Sequence, residues 1–327
     1  MSRKVTSTKP QVLLTRRLHD FALKEMQKKY SIHIHAGKIP MPKKLLKEKI
    51  KKVDALVCFP YDTIDAEIIK GAKNLRVIST YSVGYDHIDI KEAKRRGIKI
   101  GYTPEVLTNA TADLTVALML DLLRRVTEGD RLIRAGKWKV IFGAHDYVGT
   151  DLEGKTLGIF GMGRIGQAVA KRADSFGMKI IYHSRKKLSP ALERKLHAKY
   201  VSFDGMVRGS DVISVHVPHG RETDKIINIK VFKKMKRSAF LINTARGKII
   251  NEGDLVLALK AKMIAGAALD VFENEPVGKM HVLARLENVV LAPHIGSSTA
   301  ETRRKMAEIA VQNLVLGLDG KRMIYSV

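Results

Sequence analysis

Short apolar runs alternate along the chain with amphipathic stretches that carry lysine and arginine opposite an apolar stripe. The stretch 43–53 shows the helical spacing, because Leu46, Ile50 and Val53 share one face. Strands that alternate with helices predict parallel sheets covered by helices on both sides. In the first hundred residues, the runs that predict strands are 12–15, 55–59, 77–80 and 98–101.

A second strand–helix series begins at Lys155, and its spacing predicts a six-stranded doubly wound sheet. Ahead of it, the segment 106–125 is apolar on nearly every face, which is typical of a helix buried between domains or subunits. We therefore predict an α/β protein of two stacked domains with a last helix over 299–317. The strands predicted for the second domain are 156–160, 179–182, 212–216, 239–243, 266–270 and 289–292.

The composition is that of a folded and strongly basic protein. Of 327 residues, 45% are hydrophobic, and 59 Lys and Arg against 33 Asp and Glu give a formal net charge of +26. This charge favours anionic partners, which include nucleic acid, a membrane surface, or a phosphorylated cofactor with a carboxylate substrate; the alternative, which we prefer, is a solvated lysine-rich surface. Only 6% of the residues are aromatic, and the sequence carries no zinc-finger spacing or recognition-helix signature. We therefore expect no specific nucleic-acid partner and no metal site.

The cysteine content and the N-terminal segment bear on location. Cys58 is the single cysteine, so a disulfide framework within the chain is excluded, as fits a reducing cytoplasm. The basic N-terminal segment is not followed by the apolar stretch of a signal peptide, and no apolar run approaches membrane-spanning length. We expect a cytoplasmic protein without a membrane partner.

A glycine-rich turn follows the predicted strand 156–160 and opens a predicted helix over 167–176. In a dinucleotide-binding turn the first glycine allows the tight bend, the second lets the backbone approach a pyrophosphate, and the third lets the helix pack on the strand. The helix N-terminus then presents free N–H groups to the anion. The residues that we predict to bind a dinucleotide here are Gly161, Met162, Gly163, Arg164, Ile165 and Gly166.

The end of the next strand indicates which dinucleotide is preferred. A carboxylate at this position bonds the ribose 2′-hydroxyl of NAD, whereas an arginine accommodates the 2′-phosphate of NADP. The chain has Ser184, Arg185 and Lys186 there, so a hydroxyl and cations replace the acid. We predict that NADP(H) is preferred and that NAD(H) is possible.

Three later motifs each lie at or just after the end of a predicted strand, where open α/β sheets bind ligands. They are Asn-Thr-Ala-Arg-Gly at 243–247, Leu-Asp-Val-Phe-Glu-Asn-Glu-Pro at 269–276 and Ala-Pro-His-Ile-Gly at 292–296. Arg246 can clamp a substrate carboxylate through two hydrogen bonds. His294 can donate a proton to a carbonyl oxygen as hydride arrives. Glu275 beside the imidazole would favour its charged form and fix its orientation.

In this order, these motifs resemble the D-isomer-specific 2-hydroxyacid dehydrogenase family over nearly the whole chain. The resemblance implies that Arg246, Glu275 and His294 are catalytic, with Arg246 and His294 also contacting substrate. It implies that Asp270 contacts the nicotinamide amide. The segment 81–89 resembles the loop whose backbone N–H groups hold the substrate carboxylate, which implies roles for Val83 and Gly84. Cofactor contacts are expected from the same pattern at Thr111, Thr244, Ala245 and Gly296.

The resemblance also implies the domain organisation. Two Rossmann or flavodoxin-like domains with parallel doubly wound sheets are expected, with an active-site cleft between them. Residues 105–292 would form an inserted NAD(P)-binding domain, and 1–104 with 293–327 the substrate-binding domain. Family members are usually dimeric, and the helix region 106–125 is the expected homodimer interface.

The sequence specifies the type of reaction more closely than it specifies the substrate. The segments 101–108 and 110–113 resemble glyoxylate/hydroxypyruvate reductases, which implies reduction of a small 2-oxo acid. The alternatives are a dehydrogenase of another D-2-hydroxy acid, such as D-lactate or D-glycerate, one with phosphite as an unusual donor, or a nucleotide-sensing protein like the co-repressors of this fold. Pro60 and Tyr61 depart from the usual pocket segment, and the stretch 138–147 is shorter than in close relatives, so substrate size is open.

Overall fold

The computed structural model describes residues 9–38, 40–278 and 281–327. They form two compact units. Unit 1 comprises the described part of Met1–Leu107 together with Ser298–Val327, and unit 2 is the described part of Thr108–Ser297. Each unit contains one parallel sheet, which confirms the predicted α/β class of two parallel-sheet domains.

Unit 1 is built on a five-stranded sheet in the order β2-β1-β3-β4-β5. Its strands are β1 Gln11–Leu14, β2 Ser31–Ile34, β3 Ala55–Cys58, β4 Val77–Thr80 and β5 Lys99–Gly101. The helices between them are α1 Asp20–Lys29, α2 Lys43–Lys49, α3 Ala66–Gly71 and α4 Ile90–Arg95. Strands β3 and β4 are buried at every residue, as central parallel strands are; β3 is an apolar run, whereas β4 ends in the buried hydroxyl residues Ser79 and Thr80.

Unit 2 contains a seven-stranded sheet in the order β12-β11-β10-β9-β6-β7-β8. Its strands are β6 Thr156–Phe160, β7 Lys179–His183, β8 Ala198–Tyr200, β9 Val212–Val215, β10 Phe240–Asn243, β11 Gly266–Leu269 and β12 Val289–Leu291. The helices are α5 Thr108–Arg124, α6 Val126–Arg134, α7 Arg164–Asp174, α8 Pro190–Lys195, α9 Phe203–Gly209, α10 Ile229–Phe232 and α11 Glu252–Lys260. The strand order reverses between β6 and β9, so the expected ligand crevice lies beyond the carboxyl ends of these two strands.

Helix α5 is buried as its apolar sequence predicts, and it packs within unit 2. It lies against α7 and against strands β10, β11 and β12. Ala112, Val116, Met119 and Leu123 join the core beneath the sheet. The chain then turns at Arg125 into α6, none of whose residues is buried.

The last helix, α12 Ala300–Leu318, returns to unit 1 and covers its sheet. Thr299 caps its N-terminus, because the hydroxyl of Thr299 accepts a hydrogen bond from the Thr302 N–H. Ser79 of β4 donates to the carbonyl oxygen of Ala310 at 2.8 Å, which ties the helix to the strand. No helix in the described ranges is long and apolar enough to cross a bilayer.

Candidate active site

The glycine turn between β6 and α7 has the shape that a phosphate-binding turn needs. Gly161 has φ +102°, and a Cβ there would lie 2.7 Å from the carbonyl carbon of His216. A Cβ on Gly166 would overlap the carbonyl oxygen of Gly161. Position 166 must therefore be glycine for the start of the helix to pack against the turn. A Cβ on Gly163 would meet nothing within 4 Å. The outer side of the turn at Gly163 is therefore open.

Helix α7 begins at Arg164, three residues before the predicted start, with Gly163 as its cap and without a side-chain cap bond. Its first N–H groups are thus left to an anion at the open side of the turn. The side chain of Met162 is buried in the core below, Arg164 is exposed, and Ile165 packs partly against the core. These residues fit a bound dinucleotide.

The segment 184–187, which follows β7, is basic and largely exposed to solvent. The Ser184 hydroxyl donates to the carbonyl oxygen of Lys186 at 2.6 Å. Arg185 and Lys186 are exposed, and neither forms an ion pair with any residue that the structure describes. Lys187 is directed to Glu193 at 3.7 Å. No carboxylate occupies positions 184–187, so a 2′-phosphate would meet cations and a hydroxyl.

Beyond the carboxyl ends of β11 and β12, an imidazole and a carboxylate are paired. His294 Nδ1 lies 2.6 Å from Glu275 Oε2, and Glu275 Oε1 accepts a hydrogen bond from the Phe272 N–H at 2.9 Å. Burial pushes the pKa of Glu275 upward. The hydrogen bond and charge of His294, the Phe272 N–H and the charge of Arg246 outweigh burial, so the pKa lies below its ordinary value. Glu275 is therefore an ionised partner for His294.

Asp270, immediately after β11, fixes the turn that carries His294. Its two carboxylate oxygens accept hydrogen bonds from the N–H groups of Ile295 at 2.7 Å and Gly296 at 2.8 Å. His294 itself has φ +56°, a conformation that costs free energy for a residue with a side chain. Burial raises the pKa of Asp270 while these two bonds oppose the rise. The expected contact of Asp270 with a nicotinamide amide stays a prediction.

Arg246 lies in the loop that follows β10, and Asn243 shapes this loop. The fully buried amide of Asn243 donates to the carbonyl oxygen of Arg246 at 2.9 Å and accepts from the Ala245 N–H at 3.0 Å. A Cβ on Gly247 would overlap the backbone of Phe272, so the loop 244–247 lies directly against the loop that carries Glu275. This close approach places the charge of Arg246 near Glu275.

Hydroxyl groups join three of the predicted cofactor residues. Thr111 Oγ1 donates to the carbonyl oxygen of Gly296 at 3.2 Å. Thr115 Oγ1 lies 2.8 Å from the carbonyl oxygen of Thr111 and 2.9 Å from the hydroxyl of Thr244. Neither Thr115 nor Asn243 has a predicted role from the sequence. A buried polar residue on an otherwise apolar element is the available signal for both.

A second histidine–glutamate pair braces the loop that carries Glu275, and it was also missed. Glu252, the first residue of α11, accepts from the Glu273 N–H at 3.1 Å, and its other oxygen lies 2.8 Å from His281 Nε2. Successive N–H groups of the loop are thus held by two carboxylates, those of Glu275 and Glu252. No sequence motif marks this pair, because its members lie 29 positions apart.

In unit 1, the predicted carboxylate-binding turn follows β4. The Ser82 hydroxyl donates to the carbonyl oxygen of Gly84 at 2.6 Å and lies 2.7 Å from Thr80 Oγ1, which in turn lies 3.0 Å from His87 Nε2. The N–H groups of Val83 and Gly84 donate to no acceptor within the described ranges. They are therefore open to an anion, as the predicted role requires.

The chain matches the family model for the D-isomer specific 2-hydroxyacid dehydrogenase, NAD binding domain, over residues 116–296. It is 48% identical to the glyoxylate reductase of Thermococcus litoralis over 316 residues, which cover 96% of this chain and 95% of that protein. Among solved structures, a glyoxylate reductase from Paecilomyes thermophila has a TM-score of 0.86 at 35% identity and covers 98% of each chain. The NADPH-dependent glyoxylate/hydroxypyruvate reductase of Sinorhizobium meliloti, in complex with NADP and malonate, has a TM-score of 0.85 at 30% identity, covering 98% of this chain and 97% of that one.

Proposed function

The chain belongs to the D-isomer-specific 2-hydroxyacid dehydrogenase family, and we propose that it uses NADPH in preference to NADH to reduce glyoxylate or hydroxypyruvate. The family makes it an NAD(P)-dependent oxidoreductase that acts on a small 2-oxo acid. The observation that carries the proposal is the His294–Glu275 pair beside the Arg246 loop. The names of the relatives support the two substrates.

The proton donor in this proposal is His294 Nε2. Because Nδ1 faces Glu275, Nε2 is the ring nitrogen left to deliver a proton to the carbonyl oxygen of the substrate. The ionised Glu275 stabilises the protonated imidazole and prevents rotation of the ring. When bound, the reduced nicotinamide supplies the hydride that the carbonyl carbon accepts. The two transfers together convert a 2-oxo acid into a 2-hydroxy acid.

The substrate carboxylate is assigned to Arg246, whose guanidinium can form two parallel hydrogen bonds with it. The family pattern adds the open N–H groups of Val83 and Gly84 as further donors. Holding the carboxylate fixes the distance and angle of the carbonyl group, which is how substrate clamps contribute to rate. Arg246 is therefore expected to affect binding and turnover together.

The cofactor is assigned to unit 2, and the substrate contacts other than Arg246 and His294 are assigned to unit 1. The glycine turn from Gly161 to Gly166 would hold the pyrophosphate, since it is open at Gly163 and ends at the N-terminus of α7. Ser184, Arg185 and Lys186 would hold a 2′-phosphate. The nicotinamide end is assigned to Thr111, Thr244, Ala245, Asp270 and Gly296.

The test is a panel of initial rates for glyoxylate, hydroxypyruvate and pyruvate, each with NADPH and with NADH. We expect the highest kcat/KM for glyoxylate or hydroxypyruvate with NADPH. Arg185→Met should reduce the NADPH-to-NADH ratio by about tenfold or more, because a charge-assisted hydrogen bond contributes roughly 1.5–3 kcal/mol. Lys187→Met is the matched control, since Lys187 is directed to Glu193. Preference for pyruvate would favour a D-lactate dehydrogenase, and equal efficiency with both cofactors would contradict the NADP assignment.

We further propose a homodimer, with its interface in the segment 126–148 rather than on α5. The predicted interface, 106–125, supplies core residues of unit 2, whereas the segment that follows exposes large apolar side chains. Contiguous exposed apolar surface of this kind marks an interaction site. The side chains concerned are Val126, Ile133, Trp138, Val140, Ile141, Phe142 and Val148. A cytoplasmic location remains a prediction from the sequence.

A further inference from the structure

Three loops and one helix start bring aromatic rings and guanidinium groups together at the carboxyl edge of the unit 1 sheet. We call Arg16, Phe59, Tyr61, Tyr81 and Arg303 the Tyr61 cluster. Strands β1, β3 and β4 are parallel neighbours, so the loops that follow them share one edge. The rings of Phe59 and Tyr61 stack at 5.8 Å, and Phe59 lies 5.1 Å from Tyr81.

The two arginines of the cluster are held by neutral groups. Arg16 Nη1 donates to the Tyr61 hydroxyl at 2.9 Å. The guanidinium carbon of Arg303 lies 5.8 Å from the centre of the Tyr81 ring, and its Nη2 donates to the Ser298 hydroxyl at 2.8 Å. The Tyr81 hydroxyl donates to the carbonyl oxygen of Arg303 at 2.6 Å. These contacts orient both guanidinium groups and leave most of their N–H donors available.

Neither Arg16 nor Arg303 forms an ion pair with a carboxylate of the described chain, although the residue after each of them does. Arg17 binds Asp20 at 2.7 Å, and Arg304 binds Glu308 at 3.1 Å. The nearby carboxylate, Asp62, is buried, and its Oδ2 accepts hydrogen bonds from the Thr15 hydroxyl and the Phe59 N–H rather than from either arginine. Within the described ranges, the cluster therefore carries two positive charges that form no ion pair with a carboxylate.

Both charges act on the same hydroxyl group. Burial and the charge of Asp62 raise the pKa of Tyr61, while the hydrogen bond and charge of Arg16 and the charge of Arg303 lower it. Arg16 and Arg303 thus flank Tyr61 from two different elements, the loop after β1 and the start of α12. The Val83–Gly84 turn begins two residues after Tyr81, at the same edge of the sheet.

We propose that Arg16, Tyr61 and Arg303 form a second anion site, which selects 2-oxo acids that carry a carboxylate or phosphate at the far end of a short chain. The proposal rests on the proposed function, in which Val83 and Gly84 bind the first carboxylate. The reduction itself is unchanged, because hydride still goes to the carbonyl carbon and the proton to its oxygen. The second site contributes binding free energy from the non-reacting end of the substrate.

The experiment compares substrates that differ only in the charge of the tail. Pyruvate is compared with oxaloacetate, and hydroxypyruvate with its 3-phosphorylated form. We expect kcat/KM to be at least about tenfold higher for the member with the anionic tail. Arg16→Met and Arg303→Met should each reduce this ratio about tenfold, mainly through KM, as loss of a charge-assisted hydrogen bond does. Arg16→Lys retains the charge and should restore part of the ratio.

Arg17→Met and Arg304→Met are the matched controls, because they remove the same charge one position away. Both variants should leave the ratio within about twofold of its value in the unmodified protein. A ratio near one in the unmodified protein, or an equal fall in the controls, would overturn the second site while glyoxylate reduction leaves the proposed function intact. A protein that reduces none of these acids would contradict the proposed function, and the second site with it. The oxaloacetate and phosphorylated arms distinguish a carboxylate tail from a phosphate tail.

Discussion

At the scale of single residues, buried polar side chains position the site, because they form hydrogen bonds with the backbone of the loops that carry the predicted catalytic residues. His294 has a left-handed backbone, and Asp270 holds the two N–H groups that follow it. Asn243 does the same for the Arg246 loop. The charged residues were found from the sequence because they lie at strand ends in a recognisable order. Asn243 and Thr115 were not found, because their partners are set by tertiary contacts that no local spacing encodes.

The His294–Glu275 pair makes a prediction about pH. The pKa of Glu275 lies below its ordinary value, so the carboxylate stays charged throughout the neutral range beside the proposed proton donor. Glu275→Gln removes the charge that stabilises a protonated donor, so the alkaline limb of the reduction profile should move to lower pH. His294→Ala should lose about 100- to 10,000-fold in kcat, the usual share of general acid catalysis. The measurement is kcat and kcat/KM of both variants against pH.

The outcome for Glu275→Gln also distinguishes a catalytic pairing from a structural one. NADPH binding should stay nearly unchanged in this variant, because its predicted contacts lie on other residues. An alkaline limb that stays where it was would mean that Glu275 serves only to hold the Phe272 N–H.

At the scale of elements, the sequence pattern predicts every strand except β2 and β8. Strands β3, β4 and β9 are buried at every residue and are rich in apolar and β-branched residues. Strand β2 has an exposed His33 within four residues, and β8 has only three residues, so neither gives a periodic signal. Both are edge strands, and β8 turns the predicted six-stranded sheet into seven. These two strands form because each pairs with a neighbouring strand, and their own sequences carry little signal for it.

The contact between two loops at the site gives a prediction at this scale. Gly247→Ala would place a Cβ on the Phe272 backbone, so the loops carrying Arg246 and Glu275 must separate. We expect kcat to fall at least about tenfold, since a displacement near 1 Å can cost about 10²-fold. Overpacking should also cost about 1–3 kcal/mol in the free energy of unfolding. Gly253→Ala, where the nearest side-chain atom lies at 3.5 Å, is the control and should leave both quantities nearly unchanged. Wild-type kinetics in Gly247→Ala would show that the two loops move independently.

At the scale of the whole molecule, the net charge and the apolar segment 126–148 concern association. A formal charge of +26 favours solubility and opposes self-association of like-charged copies. A homodimer must therefore gain enough from apolar burial to exceed this repulsion. Among the large apolar side chains of the segment, Ile141, which is 92% exposed, and Val140, which is 70% exposed, have the highest exposed fractions.

The dimer prediction follows from that balance. The unmodified protein should have about twice the chain mass of 36.5 kDa by light scattering at micromolar concentration. Ile141→Asp should shift the protein toward the single-chain mass, because a carboxylate in an apolar interface must be desolvated without a partner. Leu257→Asp on α11 is the control, since Leu257 is 57% exposed outside the segment and should leave the mass unchanged. Higher salt screens the repulsion between copies and should strengthen the dimer. A single-chain mass for the unmodified protein under all these conditions would contradict the homodimer, and the exposed segment would then need another partner.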